Sequence, residues 1–316
     1  MKKFSLLASV GAALGLASAA LAGTVTADFK NDKKAVHPLE CPPEALTLIH
    51  VHSDYVLESD LTHSNGKQDA LHNSIELGQR IPLGGFAGGW PNAECGNWFF
   101  RLGAAYNRFD FDTENEARLP DTLQSIAGVV ALEYLVKGDT AVFIESRPGV
   151  YFQHDINAGT FDAPTTLAAA FPVFGGDRFY LVVGASGSLL WSYHVLPFIG
   201  AIWHINDQWD LRAVLPEPRL TYKVTDKLHI YAGGEIVGGG YKTDRRYLQK
   251  DRNLSGAVLT YTDVRAGLGI TYECKPFSVD LGAGESLYRE FDYSRAGQVF
   301  SSEPSPFVKL TVKAEF

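Results

Sequence analysis

Apolar and polar residues alternate strictly along the end of the chain. Val308, Leu310, Val312, Ala314 and Phe316 take one parity, and Lys309, Thr311, Lys313 and Glu315 the other. A period of two puts these sets on opposite faces of a strand. The pattern recurs upstream. In 70–81, Leu71, Ile75 and Leu77 oppose His72, Ser74, Glu76 and Arg80; in 97–108, Trp98, Phe100, Leu102, Ala104 and Tyr106 oppose Arg101, Gly103, Ala105 and Asn107. Segments 123–136, 141–153, 228–241, 257–272 and 277–288 repeat it. Segments near 161–171, 178–190 and 193–205 are strand-like but apolar on both faces. Many such strands, the last ending in a free aromatic, predict an all-β, antiparallel transmembrane β-barrel with its apolar face to lipid and its polar face to the lumen. The strand ending in Phe316 must then pair with the first one, near 46–57, because an open edge in lipid leaves backbone groups unsatisfied.

Turn chemistry sets the strand count. Short turns are expected at Lys137-Gly138-Asp139, Gly175-Gly176-Asp177, Asn206-Asp207-Gln208, Thr225-Asp226-Lys227 and Cys274-Lys275-Pro276. Longer breaks fall at 58–67, 110–121, 242–256 and 294–305. Bacterial barrels carry short periplasmic turns and longer outer loops. For the two to alternate, 209–223 must hold two short strands bent at Leu215-Pro216-Glu217-Pro218. That gives about 14 strands; a single kinked strand there gives 12.

The N-terminus adds a location. Lys2 and Lys3, an apolar run from Leu6 to Leu16 and the small-residue site Ala20-Leu21-Ala22 have the form of a secretory signal, with cleavage expected near Ala22. The expected organisation is a signal peptide at 1–22, a Pro-containing periplasmic lead-in at 23–45 and an outer-membrane barrel at 46–316. No later stretch has the ~18 consecutive apolar residues of a membrane helix. Without Lys2 and Lys3 the formal net charge of -8 becomes -10, an acidity that disfavours nucleic acid as a partner. Cys41, Cys95 and Cys274 lack metal-site spacing; all three fall on the expected periplasmic side, where one pair could form a disulfide. Aromatics near strand ends, among them Trp98, Tyr134, Tyr151, Trp191, Trp203, Trp209, Tyr241, Tyr272 and Phe277, suit interfacial girdles.

Candidate chemistry concentrates on the polar face. It places Glu76, Arg80, Arg101, Glu133, Glu145, Arg147, Glu235, Asp263, Arg265, Asp280, Lys309, Lys313 and Glu315 along the lumen, with Asp210 and Arg212. Charged walls can screen polar solutes in a pore; near-equal numbers of acids and bases equally suit mutual pairing in a filled interior. Asp110, Asp112, Glu114 and Glu116 alternate in one outer loop without an EF-hand pattern. Arg245, Arg246, Lys250 and Arg252 crowd another, where lipopolysaccharide phosphates are within reach. His50 and His52 share a face, a spacing that can seat a metal, but no third ligand is evident. Histidines and serines are present without a motif joining them, and Gly233-Gly234 and Gly238-Gly239-Gly240 are not followed by the Lys-Ser/Thr of a phosphate loop. Close strand packing and bending explain these glycines better. No catalytic residue, metal or cofactor is expected.

Leu215-Pro216-Glu217-Pro218-Arg219, the stretch 228–235, Gly238-Gly239-Gly240-Tyr241, Ser255-Gly256-Ala257-Val258, and Arg289-Glu290-Phe291-Asp292 with Arg295-Ala296-Gly297 resemble a family of uncharacterised bacterial outer-membrane β-barrel proteins, a domain of unknown function. The likeness is clearest over 190–316. It implies fold and location, and it carries no activity. Outer-membrane lipid and lipopolysaccharide are the expected surroundings. By likeness to outer-membrane proteins, Phe316 is the expected signal to the barrel-assembly machinery. The functional expectation is a narrow porin-like channel for small polar solutes. A non-conducting structural or surface-interaction barrel is the alternative, followed by an outer-membrane lipid hydrolase and a secreted soluble β-sandwich.

Overall fold

The structure is a computed structural model that describes residues 46–62, 66–83, 96–114, 119–136, 141–173, 178–245 and 254–316. The signal and lead-in segments, Cys41, Cys95, Glu116, Arg246, Lys250 and Arg252 lie outside the described residues.

The chain forms a closed 14-strand antiparallel barrel. Its strands are β1 (Leu46–Thr62), β2 (Lys67–Pro82), β3 (Gly96–Asp110), β4 (Thr122–Val136), β5 (Ala141–Ser146 continued by Gly149–Phe152), β6 (Phe161–Asp162 continued by Thr165–Pro172), β7 (Phe179–Gly187), β8 (Val195–His204), β9 (Trp209–Ala213), β10 (Arg219–Lys223), β11 (Leu228–Lys242), β12 (Val258–Cys274), β13 (Phe277–Tyr293) and β14 (Gln298–Ser302 continued by Ser305–Glu315). Each pairs with its neighbour in sequence. β14 then closes on β1, with Leu48 opposite Glu315 and Val56 opposite Phe307. Phe316 and Thr47 exchange two backbone hydrogen bonds at 3.0 Å, so pairing runs to the last residue.

The two prolines of 215–218 do separate two short strands, and the 14-strand count holds over 12. Proline lacks an N–H and fixes φ, so Pro216 and Pro218 end the ladder where they stand. The start of β1, the end of β14 and the tight turns at 205–208, 224–227 and 275–276 share one end of the barrel, here the terminal end; the other is the loop end. Two expected breaks are shorter than expected. β1 continues to Thr62, with Lys67 Nζ 2.7 Å from Glu58, and β14 begins at Gln298.

The outward faces are apolar around the circuit. Val51, Leu77, Leu102, Ile126, Leu167, Ile199, Leu268 and Val308 are all exposed, Ile199 at 69% and Leu268 at 68%. A soluble surface does not carry a continuous apolar belt; a bilayer requires one. Among the described residues no helix is long and apolar enough to cross a membrane, so strands do the crossing. Tyr193, Trp203, Trp209, Tyr272 and Phe277 are exposed near strand ends, as girdles require. Tyr151, Tyr241 and Trp191 depart from that expectation. They are buried, because their strands or loops turn these rings away from lipid.

Candidate functional site

The inward faces carry the chemistry, and they differ sharply around the circuit. Over β1–β5 and β11–β14 they meet in layers. At the loop end Phe109, Phe111, Tyr151, Tyr241, Tyr261, Phe291 and Tyr293 form one buried cluster. Tyr261 lies 5.1 Å from both Phe109 and Phe111 and 4.9 Å from Phe291, centroid to centroid. Contacts at these spacings are the preferred edge-on or tilted packings of aromatic rings.

Beneath this cap lies a charged layer. Arg265 of β12 reaches Asp54 of β1 at 2.8 Å, Asp263 at 2.8 Å and Glu235 of β11 at 3.2 Å. Lys309 of β14 also pairs with Glu235. Asp54 accepts from His52 and His72, each 2.7 Å from the same carboxylate oxygen. Further on, Arg101 of β3 contacts Glu76, Glu133 and Glu145, and Arg147 of β5 holds Glu145 at 2.7 Å and Glu76 at 2.6 Å. Toward the terminal end come Arg80 with Glu133 at 2.7 Å and Arg219 with Asp280 at 3.2 Å. Tyr231 donates to Asp280 at 2.7 Å and stacks its ring 3.7 Å from the Arg219 guanidinium carbon.

These contacts join side chains within a strand, on neighbouring strands and on strands up to three positions apart. An isolated buried charge costs several kcal/mol, and pairing offsets that only when further hydrogen bonds complete the geometry. Here seven carboxylates (Asp54, Glu76, Glu133, Glu145, Glu235, Asp263, Asp280) face six bases (Arg80, Arg101, Arg147, Arg219, Arg265, Lys309), and Asp54 and Asp280 gain further hydrogen bonds from His52, His72, Tyr231 and Thr271. A cavity of about 50 Å³ remains between the cap and the charged layer, beside His50, His72, Asn107 and Arg147. It has room for a few waters.

Most residues assigned to the lumen from sequence therefore enter this network; Lys313 lies half-buried opposite His50, Glu315 is exposed at the terminal rim, and Asp210 and Arg212 lie on β9, where Asp210 meets His204. Arg219 and Arg289 were not assigned to the lumen. Arg289 donates to Ser59 at 2.8 Å and to the Gln68 carbonyl at 3.0 Å. Its parity with Phe291 was the available signal. The histidine pairing also differs. His52 joins His72 through Asp54, because Asp54 and His72 face each other across β1 and β2; His50 lines the cavity instead. One nitrogen or oxygen from each of His52, Asp54 and His72 lies within 4.8 Å of the others, a grouping that could hold a metal. The nitrogen-to-oxygen spacings of 2.7 Å are those of hydrogen bonds, and Arg265 occupies the second Asp54 oxygen. Thr311, His52 and Asp54 stand in hydroxyl–imidazole–carboxylate order, but Thr311 is buried and the carboxylate is already bound by Arg265. Cys274 is a free, exposed thiol.

The inward face of β6–β8 is of another kind. Thr166, Ala168, Ala170, Tyr180, Val182, Gly184, Phe198 and Ile202 point in, and Ala170, Tyr180, Val182 and Ile202 form a second apolar cluster with Phe198 and Val214. The side chains are small enough for sheet faces to approach; a Cβ on Gly184 would lie 2.3 Å from the Phe198 ring. His204 and Asp210, 3.1 Å apart, meet on this side at the terminal end.

A charge-filled, closed barrel with an apolar belt defines a transmembrane β-barrel of the outer-membrane type. The chain belongs to a family described as a domain of unknown function, DUF6268, whose model matches residues 45–315. Solved structures of similar fold include the COG4313 outer membrane channel from Pseudomonas putida F1, at 11% identity over 90% of this chain and 100% of that one, TM-score 0.46. They also include the Pseudomonas putida toluene transporter TodX, at 8% identity over 87% and 90%, TM-score 0.42. The transport unit of the autotransporter AIDA-I from Escherichia coli is similar at 13% identity over 94% and 95%, TM-score 0.36. A comparison with curated protein sequences finds no match.

Proposed function

We propose that this chain is an integral bacterial outer-membrane barrel, channel-like in form, whose porin-like route for small polar solutes is held shut by its own ion pairs. The carrying observation is Arg101, whose guanidinium meets carboxylates from three other strands, Glu76, Glu133 and Glu145. The aromatic cap at the loop end adds a second seal. The apolar belt, the tight turns at the end where β1 starts and β14 ends, and the paired Phe316 support the location, with export by a signal cleaved near Ala22. Outer-membrane lipid and lipopolysaccharide are its surroundings, and the assembly machinery reads Phe316. Deleting Phe316 removes two closing hydrogen bonds and the ring contact with Phe277, so it lowers the amount of heat-modifiable barrel in membranes. Unchanged levels on cold-detergent gels count against this role.

Liposome swelling tests the sealed interior. Proteoliposomes of refolded wild-type protein in isosmotic arabinose should swell no faster than protein-free vesicles. Swelling that rises with protein content would overturn the proposal.

A further inference from the structure

The wall of the barrel has a gap. β9 and β10 are 5 residues each, whereas β8 has 10 and β11 has 15. At about 3.3 Å per residue and a tilt near 40°, a five-residue strand rises only about 13 Å, roughly half of the ~25 Å apolar band. The ladder between β8 and β9 stops at Ala201 opposite Ala213, and that between β10 and β11 stops at Arg219 opposite Gly233. The Pro216 and Pro218 carbonyls take two further amides of β11, those of Ile236 and Gly234. Beyond that level, among the described residues, no strand lies between Val195–Ile199 of β8 and 237–241 of β11. The upper end of β11 instead leans across to β5, where Lys242 pairs with Phe152.

Among the described residues the β7–β8 loop at 188–194 covers this gap. Its base is held by Asp162, which accepts from Ser188 Oγ at 2.5 Å and from the Leu189 amide at 3.0 Å. Its middle crosses to β11, where Leu190 packs so tightly on Gly240 that a Cβ there would lie 2.7 Å from the Leu190 carbonyl oxygen. Its far side reaches β13 through Ser192 Oγ, 3.1 Å from Asp292. Trp191 is 1% exposed, yet its indole N–H has no hydrogen-bond partner. An unbonded buried donor is an enthalpic loss that disappears when the segment lifts. Two sequence motifs thus converge on one place. The Pro-containing turn at 215–218 opens the wall, and the glycine run at 238–240 seats what closes it.

We propose that the gap between β8 and β11 is a lateral port through which small uncharged apolar molecules exchange between the outer leaflet and the β6–β8 side of the interior, with residues 188–194 as its strap. The strands beside the gap carry the chemistry such cargo needs. Val195 and Ile199 face lipid, and Phe198, Val182 and Ile202 face inward. A polar solute would leave hydrogen-bonding groups unpaired along that path, and an apolar one would not. The port opens to the side, above the layer that the arginines close, so it stands whether or not the polar route conducts.

The test uses whole cells and two probes, the apolar dye 1-N-phenylnaphthylamine and the hydrophilic β-lactam nitrocefin. Gly240→Leu displaces the strap and should speed dye entry several-fold over wild type while nitrocefin hydrolysis stays unchanged. In a background with native cysteines replaced by serine, Ser192→Cys with Asp292→Cys should, when oxidised, lower dye entry to that of cells without the protein, and reductant should restore it. Dye entry unmoved by either change, in protein that remains heat-modifiable at wild-type levels, overturns the port. An equal rise for both probes also overturns it, as a leak through a damaged barrel.

Discussion

Two sides of one barrel solve the same problem in opposite ways. Over β1–β5 and β11–β14 the interior is filled with long charged side chains that bind one another from strand to strand. Over β6–β8 it is filled with small and apolar ones that pack. Both arrangements exclude bulk water, but their energetics differ. An ion pair is sensitive to its partner: removing one member leaves the other uncompensated. An apolar contact loses only the area and volume that are cut away. Removing a single side chain therefore costs more on the charged side than on the apolar one.

The comparison breaks first at Arg265. It holds Asp54, Asp263 and Glu235 together, with all four nearly inaccessible to solvent. Arg265→Ala should lower the stability of the refolded barrel by about 3–5 kcal/mol in urea titrations. A loss no larger than that of an ordinary core truncation would mean that the charges on this side do not act as a unit. On the apolar side Ile202→Ala should cost about 2–3 kcal/mol, the usual range for a buried aliphatic residue; a negligible cost would show that this face is not packed. Arg80 marks the lower limit. Its side chain is 23% exposed and Glu133 keeps Arg101 nearby, so Arg80→Ala should cost about 1 kcal/mol or less. A cost equal to that of Arg265→Ala would extend the tightly coupled network to the terminal rim.

Much of this division was legible in the chain. Alternation placed Glu76, Arg101, Glu145 and Arg265 on the inner face, because a period of two leaves no other choice once the outer face is apolar. The segments between 161 and 205, apolar on both faces, were the trace of the second kind of interior. The bend at Pro216 and Pro218 gave two short strands correctly. What strand periodicity does not encode is which side chains meet across a barrel. Arg265 finds Asp54 only because the sheet closes, bringing strands from opposite ends of the chain together. The pairing of His52 with His72 needed the β1–β2 register, and burial of Tyr241 and Trp191 needed β11 to lean onto β5. Strand-end aromatics look alike in sequence whether they meet lipid or a neighbouring loop.

We propose that inward-facing ion pairs hold the polar route shut. Planar-bilayer recording of Arg101→Ala/Arg147→Ala beside wild type tests it most directly, because both arginines bind both Glu76 and Glu145. Wild-type protein should be electrically silent, and the double variant should show steady conductance. Steady channels from wild type, or silence from a double variant that inserts and remains folded, would contradict it.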